Sequence, residues 1–295
     1  MVNRYVSVIG SLNYDFFFEV KRNPKIGETM YMDKLKVSCG GKGANQAYQM
    51  AKLGLNVYMI GCVGNDSYGD QSIQELDLVG VHLDGIKRSE NNTGLGFITV
   101  KENGDVSAMI DKGANENVNI DLVNEYYDLI FNSEYILLQM EIPLETIYYI
   151  IQEADKKNVK VVLNPAPAQA ISDEILSKVN YLVVNEVEAE YYLKEKIDLS
   201  NIETISLKLR EKVKDGLVLT LGTQGSYYID NDVSYIPIVE VKAIDTTGAG
   251  DSYIGAFVYG LMKGYSEVDA CKLGALASSE TVKAFGRYSM PDSLD

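Results

Sequence analysis

The segment "AIDTTGAGDSYIGAF", Ala243–Phe257, passes from a turn of small residues directly into an apolar helical run. Glycine in such a turn permits backbone conformations that other residues avoid, and it lets another group approach closely. We expect the amides of Gly248, Ala249 and Gly250 to point outward at the helix N-terminus, where unpaired N–H groups and the positive end of the helix dipole favour an anion. The segment therefore predicts an anion site or, alternatively, a tight loop-to-helix junction in which Asp251 caps the helix.

Strand and helix patterns alternate along most of the chain around this segment. Short β-branched runs lie at 5–9, 57–60, 135–138, 159–163, 181–184 and 217–221. Helical patterns lie between them, for example at 43–53, 144–157 and 202–214. Strands that are apolar on both faces and joined by helices predict an α/β fold, a doubly wound and mostly parallel sheet flanked by helices. Ligands of such folds bind beyond the carboxyl ends of the strands.

Two segments interrupt this pattern. Residues 14–37 contain "DFFFEV" and "TMYMDKLKVS" without a helical period, and residues 93–110 show two β runs around "ENGD", which is a hairpin signal. They predict a small discontinuous β-sheet lid (14–37 and 92–111) beside a core of 1–13, 38–91 and 112–295. A few strands cannot bury two apolar faces alone. We therefore expect one face to cover the crevice and the other to pair subunits in a homodimer.

The composition restricts the class of partner. The 295 residues include 42 acidic and 27 basic side chains, a net charge of -15, which argues against nucleic acid because phosphate backbones are bound by Lys and Arg. A few backbone amides still suffice for a small phosphorylated ligand. No stretch approaches the ~18 apolar residues of a membrane span, and the N-terminus does not resemble a signal peptide. We expect no membrane partner and a cytoplasmic location.

Signatures of several other chemistries are missing from the sequence. It contains no GxxxxGK followed by Ser or Thr, and "GSLNYD" stands after the first strand in place of GxGxxG, which argues against P-loop and dinucleotide folds. Cys39, Cys62 and Cys271 are far apart and form no CxxC pair, so neither a zinc site nor a disulfide framework is expected. His82, the only histidine, has no companion motif and is interpreted as structural.

Glycine-rich or polar clusters follow the predicted strands. They are "GSLNYD", "CGGKGANQA", "LNPAPA", "NEVEAE", "TLGTQGS" and "DTTGAGDS". Each one alone is compatible with an ordinary turn, a proline-stiffened loop or an acidic helix start. Together they lie where a crevice is expected, and Asp251 beside the amides of the glycine-rich turn is suited to accept a proton from a hydroxyl that attacks a bound phosphoryl group.

These clusters, in this order and over essentially the whole chain, resemble the ribokinase family of sugar kinases, also called the phosphofructokinase-B family. "GGKGAN" and "DTTGAGD" are highly specific when they occur together. The resemblance implies ATP-dependent, Mg²⁺-requiring phosphorylation of the 5-hydroxyl of D-ribose. The alternatives are a related kinase for deoxyribose, a ketohexose or a nucleoside, and a catalytically inactive sugar-binding regulator on the same fold.

The resemblance also implies a role for individual residues. Asp251 is similar to the family's catalytic base, and the amides of Gly248, Ala249 and Gly250 resemble its anion hole. The sugar-binding residues implied, besides Asp251, are Asn13, Asp15, Gly41, Lys42, Asn45 and Glu141. The nucleotide-binding residues implied are Asn185, Thr220, Gly222, Gly225 and Gly250.

Two metal sites are implied as well. Asn185 and Glu188 match the NxxE motif that helps to place Mg²⁺, largely through water. Asp245 and the carbonyl of Thr247 resemble part of a loop for a monovalent cation, K⁺. The remaining ligands would come from a later loop, and Gly286–Met290 departs from the family pattern there. The expected serine is shifted to Ser289 or lost at Met290, and Arg287 is expected close to the cation. The resemblance therefore implies K⁺ dependence less directly than it implies catalysis.

Overall fold

The structure, a computed structural model, describes residues 4–102, 106–197 and 202–294. The strands in these ranges are β1 (Val6–Ile9), β2 (Asn13–Val20), β3 (Lys34–Gly40), β4 (Val57–Gly64), β5 (His82–Ser89), β6 (Gly94–Lys101), β7 (Val106–Asp111), β8 (Tyr135–Gln139), β9 (Lys160–Asn164), β10 (Tyr181–Asn185), β11 (Gly216–Thr220), β12 (Ser226–Ile229) and β13 (Val233–Ile236). The α-helices are α1 (Lys42–Lys52), α2 (Ser67–Leu78), α3 (Ile120–Glu125), α4 (Tyr127–Phe131), α5 (Leu144–Lys157), α6 (Asp173–Leu176), α7 (Glu186–Leu193), α8 (Ile202–Arg210), α9 (Ala249–Lys263) and α10 (Glu267–Thr281). None of these helices is long and apolar enough to cross a lipid bilayer.

Strand β1 lies inside a nine-stranded sheet with the order β13-β12-β11-β10-β9-β8-β1-β4-β5. The pairings from β11 through to β5 are parallel, whereas β12 and β13 pair antiparallel at one edge. Because the chain adds strands on both sides of β1, the strand order reverses there. The predicted doubly wound, mostly parallel sheet is confirmed, and a ligand crevice is expected beyond the strand ends at such a reversal.

Helices cover both faces of the large sheet. In β8, Ile136 and Leu138 belong to the core on the α5 side, and Leu137 belongs to the core on the opposite side, with α1 and α9. The predicted apolar face of α5 is fully buried at Ile147, Ile150, Ile151 and Ala154. Since side chains alternate between the two faces of a strand, burial on both faces accounts for the unbroken apolar runs in the sequence.

Helix α8 ends at Arg210, short of the predicted end at Lys214. The Arg210 guanidinium donates to the carbonyl oxygens of Val213 at 2.8 Å and of Lys214 at 3.2 Å. These bonds hold the chain in a turn instead of a further helical turn. Val213 is nevertheless buried, which is why the apolar spacing suggested a longer helix.

The two segments that interrupt the α/β pattern form a second sheet, with the order β3-β2-β6-β7. Strands β2 and β6 pair parallel, and the two outer pairs are antiparallel. The apolar "TMYM" precedes β3 and belongs to no strand. Of the predicted "ENGD" turn, residues 103–105 lie outside the described residues. The division of the chain into core and lid at the stated boundaries stays a prediction.

Candidate active site

The polar ends of four neighbouring strands meet at one edge of the large sheet. Gln139 and Asn164 are register partners at the ends of β8 and β9. Asn185 and Thr220 are partners at the ends of β10 and β11. Because these strands are parallel, polar clusters that are far apart in sequence converge on the same crevice, as expected for a doubly wound sheet.

Helix α9 starts on the glycine-rich turn at this crevice. Its N-cap is Gly248, in the left-handed conformation at φ 78°. The amides of Gly248 and Gly250 donate to no acceptor within the described ranges, whereas the amide of Ala249 donates to the Thr246 carbonyl oxygen at 3.2 Å. Two of the three predicted anion-hole amides therefore have no protein acceptor within the described ranges. The N-terminus of α9 has the unpaired N–H groups that an anion requires.

Asp251 lies buried in the first turn of α9, and its carboxylate is held by helix α1. Asn45 Nδ2 donates to Asp251 Oδ2 at 2.9 Å, and Gln46 Nε2 donates to Oδ1 at 2.9 Å. The carboxylate thus points across to α1 instead of capping its own helix. Gln139 Nε2 in turn donates to Gln46 Oε1 at 2.6 Å. Two side-chain amides fix the orientation of the carboxylate, and sequence reasoning assigned no role to Gln46 or Gln139.

Asn13 and Asp15 lie on one face of β2, as the alternation of an extended segment predicts. Asn13 Oδ1 accepts a hydrogen bond from Asn115 Nδ2 at 2.7 Å. The Asp15 carboxylate occupies space left by two glycines on the neighbouring strands. A Cβ at Gly40 would lie 1.9 Å from Asp15 Oδ2, and one at Gly96 would lie 2.2 Å from Oδ1. These glycines make room for the carboxylate.

The protein groups around Asp15 make its carboxyl group difficult to ionise. Burial and the nearby charges of Glu141 and Asp251 raise its pKa, and the positive charges of Arg287 and Lys42 lower it. The net result is a pKa of about 7 in place of the ordinary 3.8. No described side chain donates a hydrogen bond to Asp15, so its carboxylate oxygens are available to ligand hydroxyls.

Glu141 connects the first residue of α1 to the loop after β1. Its Oε2 accepts hydrogen bonds from the Lys42 amide at 3.0 Å and from the Ser11 hydroxyl. Gly41 is the N-cap of α1 at φ 87°, and a Cβ there would lie 2.7 Å from the Asn13 amide nitrogen. Only glycine fits this close approach, which brings the predicted sugar-binding residues of two motifs together.

The side chain of Lys42 places a positive charge near the carboxylates of the site. Burial alone would lower the pKa of Lys42, but Asp251, Glu141, Glu188 and Asp15 together raise it above its ordinary value. The ammonium group is therefore retained at neutral pH. Lys42 lines a polar cavity of about 250 Å³ together with Asp251, Glu188 and Asn185.

A second cavity, of about 280 Å³, adjoins the first and shares Thr220, Thr246 and Gly250 with it. Its walls are mostly apolar and include Ile238, Val239, Val241, Ala275 and Val282. Gly222 and Gly225, two of the predicted nucleotide-binding residues, lie on its wall with Thr220. An apolar cavity beside a polar one is suited to a nucleotide. Its aromatic base would lie in the apolar cavity, and its phosphate groups would extend into the polar cavity.

Asn185 and Glu188 form a complete capping box at the start of α7. The Glu188 amide donates to Asn185 Oδ1 at 2.9 Å, and the Asn185 amide donates to Glu188 Oε2 at 2.9 Å. Burial raises the pKa of Glu188 above its ordinary value. The motif therefore stabilises the helix and also faces the polar cavity. Its side-chain oxygen atoms are of the kind that Mg²⁺ prefers as ligands. Within the described residues, no three carboxylate, thiol or imidazole side chains are grouped closely enough to hold a metal ion by themselves.

Asp245 connects the glycine-rich turn to the loop after α10. Its Oδ1 accepts from the Thr247 amide at 3.0 Å, and its Oδ2 accepts from the Gly286 amide at 3.0 Å. Ser289 Oγ donates to the Gly286 carbonyl at 3.0 Å. The Arg287 guanidinium, expected to lie near a cation in this loop, points instead to α2 and pairs with Glu75 at 2.7 Å. Each Asp245 oxygen accepts one of these amide hydrogen bonds, and a carboxylate oxygen has a second lone pair that can contact a cation.

Comparisons with known proteins agree with this geometry. The model of the pfkB family carbohydrate kinases matches residues 3–293. The chain is 36% identical to a ribokinase from Schizosaccharomyces pombe, over 100% of this chain and 96% of the relative. It is 31% identical to a deoxyribokinase from Salmonella typhi, over 98% of this chain and 96% of the relative. A solved structure of Arabidopsis thaliana ribokinase, complexed with ribose and ATP, has a TM-score of 0.88 at 30% identity and covers 99% of this chain and 96% of its own.

Proposed function

Because the chain belongs to the pfkB family of carbohydrate kinases, we propose that it transfers the γ-phosphoryl group of ATP to the 5-hydroxyl of D-ribose, giving ribose 5-phosphate and ADP. The observation that carries this proposal is the carboxylate of Asp251, held by two amides beside the open N-terminus of α9. It lies in a polar cavity that also contains Lys42 and adjoins the apolar one. The similarity to ribokinases supports ribose as the sugar.

In the proposed reaction Asp251 accepts the proton of the 5-hydroxyl as its oxygen attacks the γ-phosphorus. The new bond joins O5 to phosphorus, and the bond from phosphorus to the bridging β–γ oxygen breaks to release ADP. The amides of Gly248 and Gly250 donate to the phosphoryl oxygens, and Lys42 offsets their negative charge. The Ala249 amide donates to the Thr246 carbonyl oxygen, so its contribution requires a small change of the turn.

We propose that the sugar is held by the polar side chains around Asp15. The binding residues are Asn13, Asp15, Gly41, Lys42, Asn45 and Glu141, and the nucleotide is held by Asn185, Thr220, Gly222, Gly225 and Gly250. Carboxylates accept from neighbouring hydroxyls, while side-chain amides both donate and accept. Such a site discriminates against sugars that lack a hydroxyl, because its buried polar groups then stay unpaired.

Asn185 and Glu188 would hold Mg²⁺ through water, and Asp245 with the Thr247 carbonyl would hold K⁺. A bound Mg²⁺ supplies positive charge to the β- and γ-phosphates. On the protein's side, Asp245 braces the turn of the anion hole against the loop at Gly286. Because the reaction consumes ATP, we also propose a cytoplasmic location.

The direct test of this proposal is product analysis after incubation with ribose and ATP. We expect ADP release that requires both ribose and Mg²⁺ and that is faster in KCl than in NaCl of equal ionic strength. Phosphorus NMR should show a phosphate ester at C5, with the anomeric hydroxyl still free. Absence of sugar-dependent ADP release would instead favour the inactive sugar-binding regulator, and a C1 ester would contradict the assigned position.

The glycine at position 250 offers a test of the anion site. An added Cβ at Gly250 meets no protein atom within 4 Å, so Gly250→Ala should fold normally, and alanine favours the helix by roughly 1 kcal/mol. We expect kcat/KM for ATP to fall at least tenfold, because the methyl group enters the space of the phosphate. Gly248, in contrast, has the left-handed conformation at φ 78°, which is strained for alanine. The matched variant Gly248→Ala should therefore have a lower melting temperature than the wild type. Unchanged ATP kinetics in Gly250→Ala would argue against the anion site.

The outer face of the small sheet supports a homodimer, which we propose as the assembly. Val37, Phe16, Phe97 and Met109 form one row across the four strands, and Val37 and Met109 are 40% and 71% exposed. Phe16 and Phe97 stack with their ring centroids 5.7 Å apart. Phe16 and Phe97, between these exposed ends, are half-buried, and a continuous apolar row of this kind on the surface of a sheet is typical of an interface.

We expect sedimentation to show a dimer at micromolar concentration and a monomer for Val37→Asp. A charge within an isologous apolar contact occurs twice, once from each subunit, and loses its hydration there. Leu78→Asp, at an exposed apolar residue of α2, is the control and should stay dimeric. A monomeric wild-type protein would contradict the proposed assembly.

A further inference from the structure

The buried arginine of the loop after α10 has surroundings that the reaction scheme does not use. Arg287 is 2% exposed, and its Nη2 donates to Glu75 Oε2 on α2 at 2.7 Å. Its guanidinium lies over the ring of Tyr48, 4.9 Å from the centroid. Nη1 faces Asn45 Oδ1 at 3.5 Å. One side chain thus joins α2, α1 and the C-terminal loop directly behind a proposed sugar-binding residue.

A contribution to fold stability does not by itself explain why the charged side chain of Arg287 is buried. A buried ion pair is often no more stabilising than apolar residues of the same volume, because both ions lose their hydration. Glu75 is held ionised, since Arg287 and Tyr288 overcome the effect of burial and lower its pKa below the ordinary value. Arg287 Nε nevertheless has no partner in the described part of the chain, which adds to the unfavourable desolvation.

The arginine determines which way the Asn45 amide points. A guanidinium has only donors, so it requires the oxygen of Asn45 on its own side. Nδ2 of Asn45 is then directed to Asp251 Oδ2, at 2.9 Å. A flipped amide would put its NH₂ group against the guanidinium and its oxygen against the carboxylate, which is unfavourable on both sides. The contact at 3.5 Å is long, but the interaction of a charge with a dipole does not need a short hydrogen bond.

We propose that Arg287 is a positioning residue for phosphoryl transfer: paired with Glu75, it orients the Asn45 amide so that this amide holds the carboxylate of Asp251 in place. The inference rests on the proposed function of the same site. It predicts that the loss of Arg287 lowers kcat, because the Asn45 amide, one of the two donors to Asp251, is then no longer held in its orientation, while the nucleotide cavity is untouched.

The charge of Arg287 has a second consequence, at Asp15. The groups that face Asp15 are Glu141 and Asp251, which raise its pKa, and Arg287 and Lys42, which lower it. Removing the positive charge of Arg287 therefore raises the pKa of Asp15 further. Since Asp15 must be ionised to accept from two hydroxyls, the acid limb of kcat/KM for ribose should move to higher pH. A purely structural role of Arg287 would not move this limb.

The test compares Arg287→Met and Arg287→Lys with Tyr288→Phe. Tyr288 donates to the other oxygen of Glu75 at 2.7 Å and does not touch Asn45, so Tyr288→Phe controls for a weakened α2 contact. We expect Arg287→Met to lower kcat at least tenfold with KM for ATP unchanged and with the acid limb shifted upward. Arg287→Lys should keep the acid limb near the wild-type position but still lower kcat, because an ammonium group lacks the planar fork. Tyr288→Phe should leave both quantities unchanged.

A kcat within a factor of two of the native value in Arg287→Met would overturn the proposal, wherever the acid limb lies. If that variant does not fold, Arg287→Lys decides alone, and a kcat within a factor of two would overturn the positioning role. A wild-type enzyme that ignores ribose but phosphorylates another sugar would refute the proposed substrate without affecting this inference. The variants would then be compared on that other sugar.

Discussion

Replacing Asp251 by asparagine is expected to lower kcat for ribose phosphorylation by on the order of 10²–10⁴, the usual contribution of a positioned base. Asparagine keeps the shape of aspartate but cannot accept the proton of the attacking hydroxyl. Asn45 and Gln46 both donate to this side chain, so the new NH₂ group will oppose one of these donors. A loss of stability of about 1–3 kcal/mol is expected from that unsatisfied pair, and ribose binding should survive.

Calorimetric titration with ribose separates binding from turnover in this variant, and circular dichroism verifies its fold. Asp77→Asn, at an exposed position on α2, is the matched control and should retain full activity. An Asp251→Asn enzyme with more than about a tenth of the wild-type turnover would mean that another group takes the proton.

Replacing Asp15 by asparagine is expected to abolish most ribose binding and, at the same time, to stabilise the ligand-free protein at pH 8. The folded-state pKa of Asp15 is about 7, above the ordinary 3.8. The folded protein therefore keeps a proton that the unfolded chain has released, and stability declines as pH rises between these two values. At roughly 1.4 kcal/mol per pKa unit, the loss above pH 7 is on the order of a few kcal/mol.

Asparagine at position 15 carries no charge, so this loss disappears. We expect the ligand-free variant to melt at least several degrees above the wild type at pH 8, and at nearly the same temperature at pH 4, at the lower end of this range, where most of the effect is absent. Melting curves at the two pH values, with ribose titrations at pH 8, provide the measurement. A variant that binds ribose as the wild type does, or that melts lower at pH 8, would contradict the placement of Asp15 in a crowded, buried carboxylate cluster.

The large sheet could be predicted because its determinants are local. Apolar runs at regular intervals and the buried face of α5 follow from residue spacing alone. The end of α8 could not be predicted, because it depends on hydrogen bonds from Arg210 to carbonyl groups beyond the helix. Such contacts exist only after the chain has turned.

The candidate site also combines residues that the sequence indicates with residues that only the tertiary structure brings into place. The motifs at the strand ends indicated Asn13, Asp15 and Asp251, since each lies next to a strand end or turn. Gln46 was not predicted, because only tertiary structure brings its amide within 2.9 Å of a carboxylate 205 positions away. Gly96 lies in a strand, and only the register between β2 and β6 shows that its missing side chain admits Asp15.

The measurement that tests the account most directly is kcat/KM for ribose, 2-deoxyribose, fructose and adenosine under identical conditions with Mg-ATP. The polar groups around Asp15 and Asn13 predict the highest value for ribose and a lower value for 2-deoxyribose, whose missing hydroxyl leaves a buried acceptor unpaired. Fructose and adenosine should also be poorer substrates, since their shapes differ from a free pentose. An equal or higher value for any of the other three would contradict ribose as the substrate while leaving the kinase family unchanged.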